Sequence, residues 1–427
     1  MSRGGKLFIL PLMVCTFLCG CYDANEVDDQ VYALAIGLDK GVENIIRLTI
    51  QYPTYKSSGG GSEGQDQKDK GGMEKGNTAP GFNISSVESP SVIEAIDMYG
   101  MTIARRVSLM HAKTLIISED LAKEGIEEHL APLARFRDTR SVMNILVVKG
   151  SAYKFIQENK PMIGESLSKS MELMFTQAKN TSFFPQVNFH DFYRDIFSTY
   201  EQGYVAYAGL NDFSKLAEEA GKGESKPKVG KGFLPGEVPR LGEAKNEYAG
   251  TAVFNKDKMV GALNSEETRA FMMVAGKFKR GIVVFEDKRI PNNVISLDLR
   301  PSRKPQIKGY FKNKKPILEV VLKMEADIAS IQSRINYENP KNIEKLNKQA
   351  EEYVLNQVTE MLGKVQHVYK SDIFGFGSKL AGYFPTIQEW EDYKWLTHFD
   401  EAKINVKVDV NIRRTGLMVE SVKAWYR

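Results

Sequence analysis

The sequence predicts an α+β or mixed α/β fold of three domains, with mixed and antiparallel sheets and a long helix packed on the C-terminal sheet. Three observations support this expectation. Strand and helix patterns interleave up to about residue 200. A segment rich in Gly, Lys and Pro at 220–247 then interrupts the pattern. Finally, a chain of 427 residues exceeds what one hydrophobic core ordinarily supports.

The N-terminal domain is predicted over residues 31–200. Residues 31–39 and 44–52 indicate two strands around a turn at Asp39-Lys40-Gly41, because their apolar and polar residues alternate. Residues 57–81 are rich in Gly, Ser, Lys, Asp and Gln, with almost nothing to bury. A segment of this composition cannot offset its ordering entropy, so we expect a flexible loop there.

The rest of this domain alternates helices with strands. Residues 91–108 carry apolar side chains at helical spacing, and Thr114–Ser118 indicates a buried strand. A helix is expected to open at Ser118-Glu119-Asp120, since acidic residues favour a first helical turn. Val142–Val148 indicates a further strand.

The middle domain is predicted over residues 201–300 and contains the 220–247 loop. Residues 250–261 indicate a hairpin that turns at residues 255–258. Ser265-Glu266-Glu267-Thr268 leads into a helix that runs through Met272.

The C-terminal α/β domain is predicted over residues 301–427. Alternating apolar positions at 318–328 and 404–412 predict two strands of an antiparallel or mixed sheet, and the C-terminal strands themselves look antiparallel. Between them, apolar positions beyond Pro340 step by three and four for about seven helical turns. The economical arrangement packs this helix across the sheet.

Ser371–Gly377 combines two glycines with Phe374 and Phe376 directly after that helix. One interpretation is a helix-terminating turn whose rings complete the core. The other is a patch that contacts a partner. The sequence leaves both open and favours the first.

No catalytic, cofactor-binding or metal site is expected. No two histidines lie at metal-ligand spacing, and neither a nucleophile elbow nor a phosphate-binding Gly-Lys loop occurs. The adjacent pairs Glu266-Glu267 and Glu351-Glu352 fall on predicted helices, where neighbours point about 100° apart and do not converge. The five histidines are His111, His129, His190, His367 and His398.

The charge balance is nearly even, with 58 Lys and Arg against 54 Asp and Glu. This balance argues against nucleic acid as a partner. The basic blocks Lys312–Lys315 and Arg413-Arg414 are interpreted as solvated surface, with contact to anionic headgroups as the alternative.

All three cysteines lie within the first 21 residues. Arg3 and Lys6 precede the apolar stretch Leu7–Leu18, which is shorter than a membrane-spanning helix and typical of a secretion signal. Leu18-Cys19-Gly20-Cys21 resembles the bacterial lipobox, in which the final cysteine is lipidated and becomes the N-terminus. We therefore predict a signal peptide at 1–20 and a lipidated tether at 21–30. An uncleaved anchor or an ordinary signal peptide are the alternatives.

The tether is short. About ten residues separate Cys21 from the first strand, a reach of at most roughly 35 Å. Two acyl chains on Cys21 would hold the chain stably at a membrane surface.

Several motifs run in order along nearly the whole chain. They are Cys21-Tyr22-Asp23 with Glu26, Leu34–Lys40, His111–Asp120, Gly250–Phe254, Leu263–Arg269, Ser371–Gly377 and Asn405–Gly416. These motifs resemble the C subunits of bacterial spore germinant receptors, the GerAC/GerBC/GerKC or Ger(x)C lipoprotein family. The chain departs from the family pattern at Tyr22, where Trp is more frequent, and in the 57–81 insert.

The resemblance implies a non-enzymatic subunit on the outer, non-cytoplasmic face of the inner spore membrane, lipid-anchored through Cys21. It also implies assembly with membrane A and B subunits in a receptor that triggers germination in response to nutrients. Tight nutrient binding by this subunit itself is not expected. Two rivals come from other classes: a substrate-binding lipoprotein of a transporter, which needs two lobes of repeated βαβ units, and a surface hydrolase, which needs a catalytic set.

Overall fold

The computed structural model describes residues 29–54, 81–160, 167–216 and 226–415. The predicted signal peptide, Cys21 and most of the predicted flexible loop, 57–80, lie outside these ranges. Within them the chain forms an eight-stranded sheet, a five-stranded sheet and a two-stranded pair.

The strands are β1 Gln30–Tyr32, β2 Ala35–Lys40, β3 Ile46–Pro53, β4 Phe82–Ser89, β5 Arg106–Ser108, β6 Thr114–Ser118, β7 Asn144–Val148, β8 Tyr204–Leu210, β9 Asn246–Asn255, β10 Lys258–Leu263, β11 Gly281–Glu286, β12 Val294–Pro301, β13 Gln306–Lys312, β14 Lys315–Ile331 and β15 Lys403–Arg414. The α-helices are α1 Val92–Met98, α2 Glu119–Glu124, α3 Glu127–Arg135, α4 Ala152–Gln157, α5 Leu167–Thr181, α6 Phe189–Ile196, α7 Ser265–Val274, α8 Pro340–Gly363, α9 Gly377–Leu380, α10 Ile387–Tyr393 and α11 Trp395–His398.

The eight-stranded sheet has the order β10-β9-β8-β7-β6-β2-β3-β4. Its centre is parallel, since β2, β6, β7 and β8 pair in the same direction. Parallel strands are normally covered on both faces, and every residue of β6 is buried. Apolar residues of α4 and α5 fill one face, and those of α1, α2, α3 and α6 fill the other.

The amino ends of the parallel strands meet at one edge of this sheet. The described chain begins there, where β1 pairs in parallel with β5 and then leads into β2. At the opposite edge, the buried carboxylate of Asp39 ends β2 and accepts hydrogen bonds from the backbone N–H groups of Ala152 and Tyr153. This contact fixes the start of α4, which Ser151 also caps.

The five-stranded sheet is built around the 17-residue strand β14. β12 and β13 pair with it in the antiparallel sense, whereas β15 runs parallel to it. The expectation of antiparallel C-terminal strands is therefore wrong for β15, because α8 provides the long crossover that a parallel connection requires. Side chains of α8 also cover β15: Glu351 and Asn347 accept hydrogen bonds from the backbone N–H groups of Val410 and Ile412.

The mixed α/β fold class with mixed and antiparallel sheets is confirmed, and so is the long helix on the C-terminal sheet. The predicted helix over 91–108 is too long. α1 ends at Met98, one 3-10 turn follows, and residues 106–108 form β5. Residues 106–108 pair with β1 and do not continue the helix, and the sequence alone does not show this pairing.

The division into three domains stays a prediction. The eight-stranded sheet takes strands from both sides of residue 200, and the five-stranded sheet takes strands from both sides of residue 300. The predicted 220–247 loop contains neither helix nor strand over its described residues before β9.

Arg269 of α7 connects the two sheets. Its guanidinium donates to the carbonyl oxygen of Thr181 at the end of α5 and to that of Ile282 in β11. It also pairs with Glu266 at 3.0 Å and lies 3.9 Å from the centre of the Phe183 ring. The side chain is only 7% exposed, so these acceptors have little access to water.

We predict that Arg269→Met lowers the free energy of unfolding by about 3 kcal/mol, because it leaves a half-buried carboxylate and two carbonyl groups without a donor. Urea denaturation measures the loss. Arg280→Met is the matched control, since Arg280 is 64% exposed and water screens its pair with Asp298, so its loss should change stability far less. Equal losses in the two variants would contradict the role of Arg269 as a buried connection.

Candidate functional site

The segment Ser371–Gly377 joins the five-stranded sheet to the eight-stranded one. Lys370 precedes it in a left-handed conformation that ends the continuation of α8. The Ser371 hydroxyl donates to the carbonyl oxygen of Phe254 in β9 at 2.6 Å. The backbone N–H of Gln202, just before β8, donates to the carbonyl oxygen of Asp372 at 2.7 Å. The segment is thus bonded to β9 of the other sheet and to the residues that lead into β8, the strand next to it.

The carboxylate of Asp372 organises the segment from within. It accepts hydrogen bonds from the backbone N–H groups of Phe374, Phe376 and Gly377 and from the indole N–H of Trp395, at 2.8–3.2 Å. The residue is fully buried. Burial raises the pKa of Asp372 to about 6, although the four donors favour the charged form.

Both glycines are required by this path. Gly375 has a φ of +72°, which favours glycine. A Cβ on Gly377 would lie 2.5 Å from both the Trp395 ring and the carbonyl oxygen of Tyr200, so no larger residue fits.

The two rings of the segment pack into the core. They stack on each other with centroids 4.8 Å apart. Phe376 is fully buried, while Phe374 is half-buried against Phe271 of α7. These contacts support the core interpretation of the segment and leave part of the Phe374 ring on the surface.

That exposed side lines a groove of about 710 Å³ between the two sheets. The groove combines three lysines with the acidic side chain of Glu201. Burial raises the pKa of Glu201, and the neighbouring carboxylates of Asp195 and Asp372 act in the same direction. Its lining includes Tyr200, Glu201, Lys304, Gln306, Lys308, Phe374 and Lys379.

Sequence reasoning missed this groove, because its charges come from three distant segments that only the fold brings together. Its chemistry suits the recognition of a polar or charged group. The described lining holds neither a histidine nor a cysteine. Across the described ranges, no three His, Cys, Asp or Glu residues are grouped as metal ligands.

The structure does not bring the candidate residues of the sequence analysis together in one site. Cys21 lies outside the described residues. The carboxylates of Glu266 and Glu267 turn to different partners, Arg269 and Lys364. Among the histidines, His111 packs on Tyr32 and His398 stacks on Tyr393, whereas burial lowers the pKa of His129.

The family comparison decides the assignment. The family model described as spore germination protein N-terminal domain matches residues 23–210, and the one described as spore germination B3/GerAC like, C-terminal, matches residues 249–416. This chain belongs to the Ger(x)C family of spore germination proteins. The family is that of germinant-receptor C subunits and is not a known enzyme family.

Individual relatives agree over their full length. The chain is 26% identical to spore germination protein YndF of Bacillus subtilis, covering 96% of each chain. It is 23% identical to spore germination protein KC of the same species, covering 100% of each chain. It is similar in fold to the crystal structure of the GerBC protein, with a TM-score of 0.52, 16% identity and coverage of 88% of this chain and 96% of that one.

We predict that Asp372→Ala lowers the free energy of unfolding by at least about 3 kcal/mol, because four buried donors lose their acceptor. The loss should also depend on pH. The native state holds the Asp372 proton more tightly than the unfolded chain, whose pKa is near 3.9. The wild-type advantage should therefore decrease as the pH rises from about 4 to about 6.

Urea denaturation at pH 4.5 and pH 7 tests both points. Asp392→Ala is the control, since Asp392 is an exposed helical residue and its loss should change stability by less than about 0.5 kcal/mol. A loss in Asp372→Ala as small as the control's would mean that the carboxylate does not organise the joint.

Proposed function

We propose that this protein is a lipid-anchored, non-enzymatic C subunit of a spore nutrient-germinant receptor. A diacylglyceryl and N-acyl lipid on Cys21 holds it on the outer face of the inner spore membrane. There it assembles with membrane A and B subunits and is required for nutrient-triggered germination.

The motif at Cys21 carries the anchoring part of this proposal. The match to the family's N-terminal domain starts at residue 23, so the motif directly precedes the family's conserved domain. Among the described helices, none is long and apolar enough to cross a membrane. An anchor at Cys21 would give the chain its attachment to the membrane.

Family membership supports the assembly part. Curated relatives of full length carry germination names, including spore germination protein GerQC of Bacillus cereus, to which the chain is 22% identical. The groove beside Phe374 offers a partly exposed aromatic ring, and aromatic side chains are enriched at protein interfaces.

The alternative, a substrate-binding lipoprotein of a transporter, fits the fold less well. Such a protein needs two similar lobes of repeated βαβ units. Here one sheet has eight strands with a parallel centre, and the other has five strands of which only β14 and β15 are parallel.

We predict that Cys21→Ala yields a chain without lipid, either uncleaved or released from the membrane, and spores that germinate poorly with nutrients. Intact-mass analysis of the membrane fraction and germination assays measure the two effects. Cys19→Ala is the matched control, because it removes a neighbouring thiol and leaves the modified cysteine in place. A mature wild-type chain whose N-terminal residue is Cys21 but carries no lipid would contradict the anchor.

A further inference from the structure

The described chain starts on a distinct surface, which we call the tether face and define by residues 29–34, 105–113 and 135–142. β1 and β5 pair there, and the ring of Tyr32 contacts that of His111 with centroids 4.3 Å apart. Arg106 pairs with Asp138, which ties the segment after α3 to β5. The backbone N–H of Asn144 donates to the carbonyl oxygen of Lys113, which joins the end of the 135–142 segment to the end of the 105–113 segment.

The tether face is basic, in contrast to the whole chain. Its three segments contain six Arg or Lys residues and two Asp residues. One of these acids, Asp138, pairs with Arg106. Lys113, Arg137 and Arg140 form no ion pair with any residue that the structure describes. Arg137 is exposed, and Lys113 and Arg140 are half-buried, so all three charges can reach an external anion.

The same surface exposes large apolar side chains. Met110 is 56% exposed and Val142 is 60% exposed, although each lies next to buried core residues. Soluble surfaces tolerate single exposed apolar residues. Their combination with unpaired basic residues is typical of protein surfaces that lie on anionic lipid, where apolar side chains enter the headgroup region and Lys and Arg approach phosphates.

The position of the tether favours a lipid surface over other partners as the occupant of the tether face. The chain reaches this face directly from Cys21, over at most roughly 35 Å even when fully extended. A lipid on that cysteine would therefore hold the tether face, rather than the opposite edge of the sheet, next to the bilayer. The opposite edge carries the exposed residues Val42 and Ile45 beside the acidic Glu43 and Glu88.

We propose that the tether face lies directly on an anionic phospholipid bilayer, with Met110 and Val142 among the headgroups and Lys113, Arg137 and Arg140 against the lipid phosphates. This contact rests on the anchor at Cys21 proposed above and adds an orientation to it. Each basic residue at such a surface contributes about a fivefold increase in local binding.

The test uses the full chain, processed and lipidated in a host that carries the lipoprotein machinery. Met110→Cys introduces the one reactive thiol, since Cys15 and Cys19 leave with the signal peptide and Cys21 is blocked by lipid. An environment-sensitive fluorophore on residue 110 should shift its emission to the blue and resist an aqueous quencher in phosphatidylglycerol vesicles. Val42→Cys, at the opposite edge and 76% exposed, is the control and should stay accessible.

Charge variants separate lipid contact from mere proximity. The double variant Arg137→Glu and Arg140→Glu should increase the quenching of the fluorophore on residue 110 severalfold. The control is the double variant Lys312→Glu and Lys315→Glu, which makes the same change of charge on the exposed β13–β14 turn. It should leave the quenching at residue 110 unchanged.

Two results would overturn the proposal. One is equal quenching at residues 110 and 42 in a chain whose lipid is verified by intact mass. The other is protection of residue 110 that occurs in spore membranes but not in vesicles of pure lipid, which would assign the face to a protein partner. A chain that carries no lipid would instead contradict the anchor itself, so the two failures are distinguishable.

Discussion

The buried carboxylate of Asp372 is the interaction on which the relation between the two sheets depends. It turns the chain sharply after α8 by accepting hydrogen bonds from three backbone N–H groups within residues 374–377, and it places Trp395 against the same turn. In this conformation Ser371 bonds to Phe254 in β9, and the Asp372 backbone bonds to Gln202, which leads into β8. Arg269 provides a second buried connection through α7. An isolated buried charge is costly, and four donors make it tolerable.

Strand direction places this joint and the start of the described chain at the same edge of the eight-stranded sheet. β8 begins directly after Gln202, and it runs parallel to β7, β6 and β2, whose amino ends lie beside the tether face. A lipid on Cys21 would therefore bring the joint and the groove next to it towards the bilayer. In the proposed receptor, residues of both sheets would then face the membrane subunits.

The sequence predicted the regular elements well where periodicity was unambiguous. Alternation along β14 and β15, the stepping of α8 and the hairpin of β9 and β10 are all observed. It failed at 91–108, where pairing with β1 decides the structure, and in the direction of β15, which depends on how α8 crosses the sheet. The aromatic and glycine pattern at 371–377 predicted a pinned turn. The role of Asp372 could not be predicted, because its burial depends on Trp395 and on strands more than a hundred residues away.

Hydrogen exchange of the full, lipidated chain tests the central claim most directly. If Asp372 holds the joint as described, the amides of Phe376 and Gly377 should exchange only through global unfolding, as slowly as those of β6 in the core. This slow exchange is expected although both amides lie outside regular strands and near an open groove. Rapid exchange of these two amides, at the rate of an exposed loop, with β6 still protected, would contradict the account.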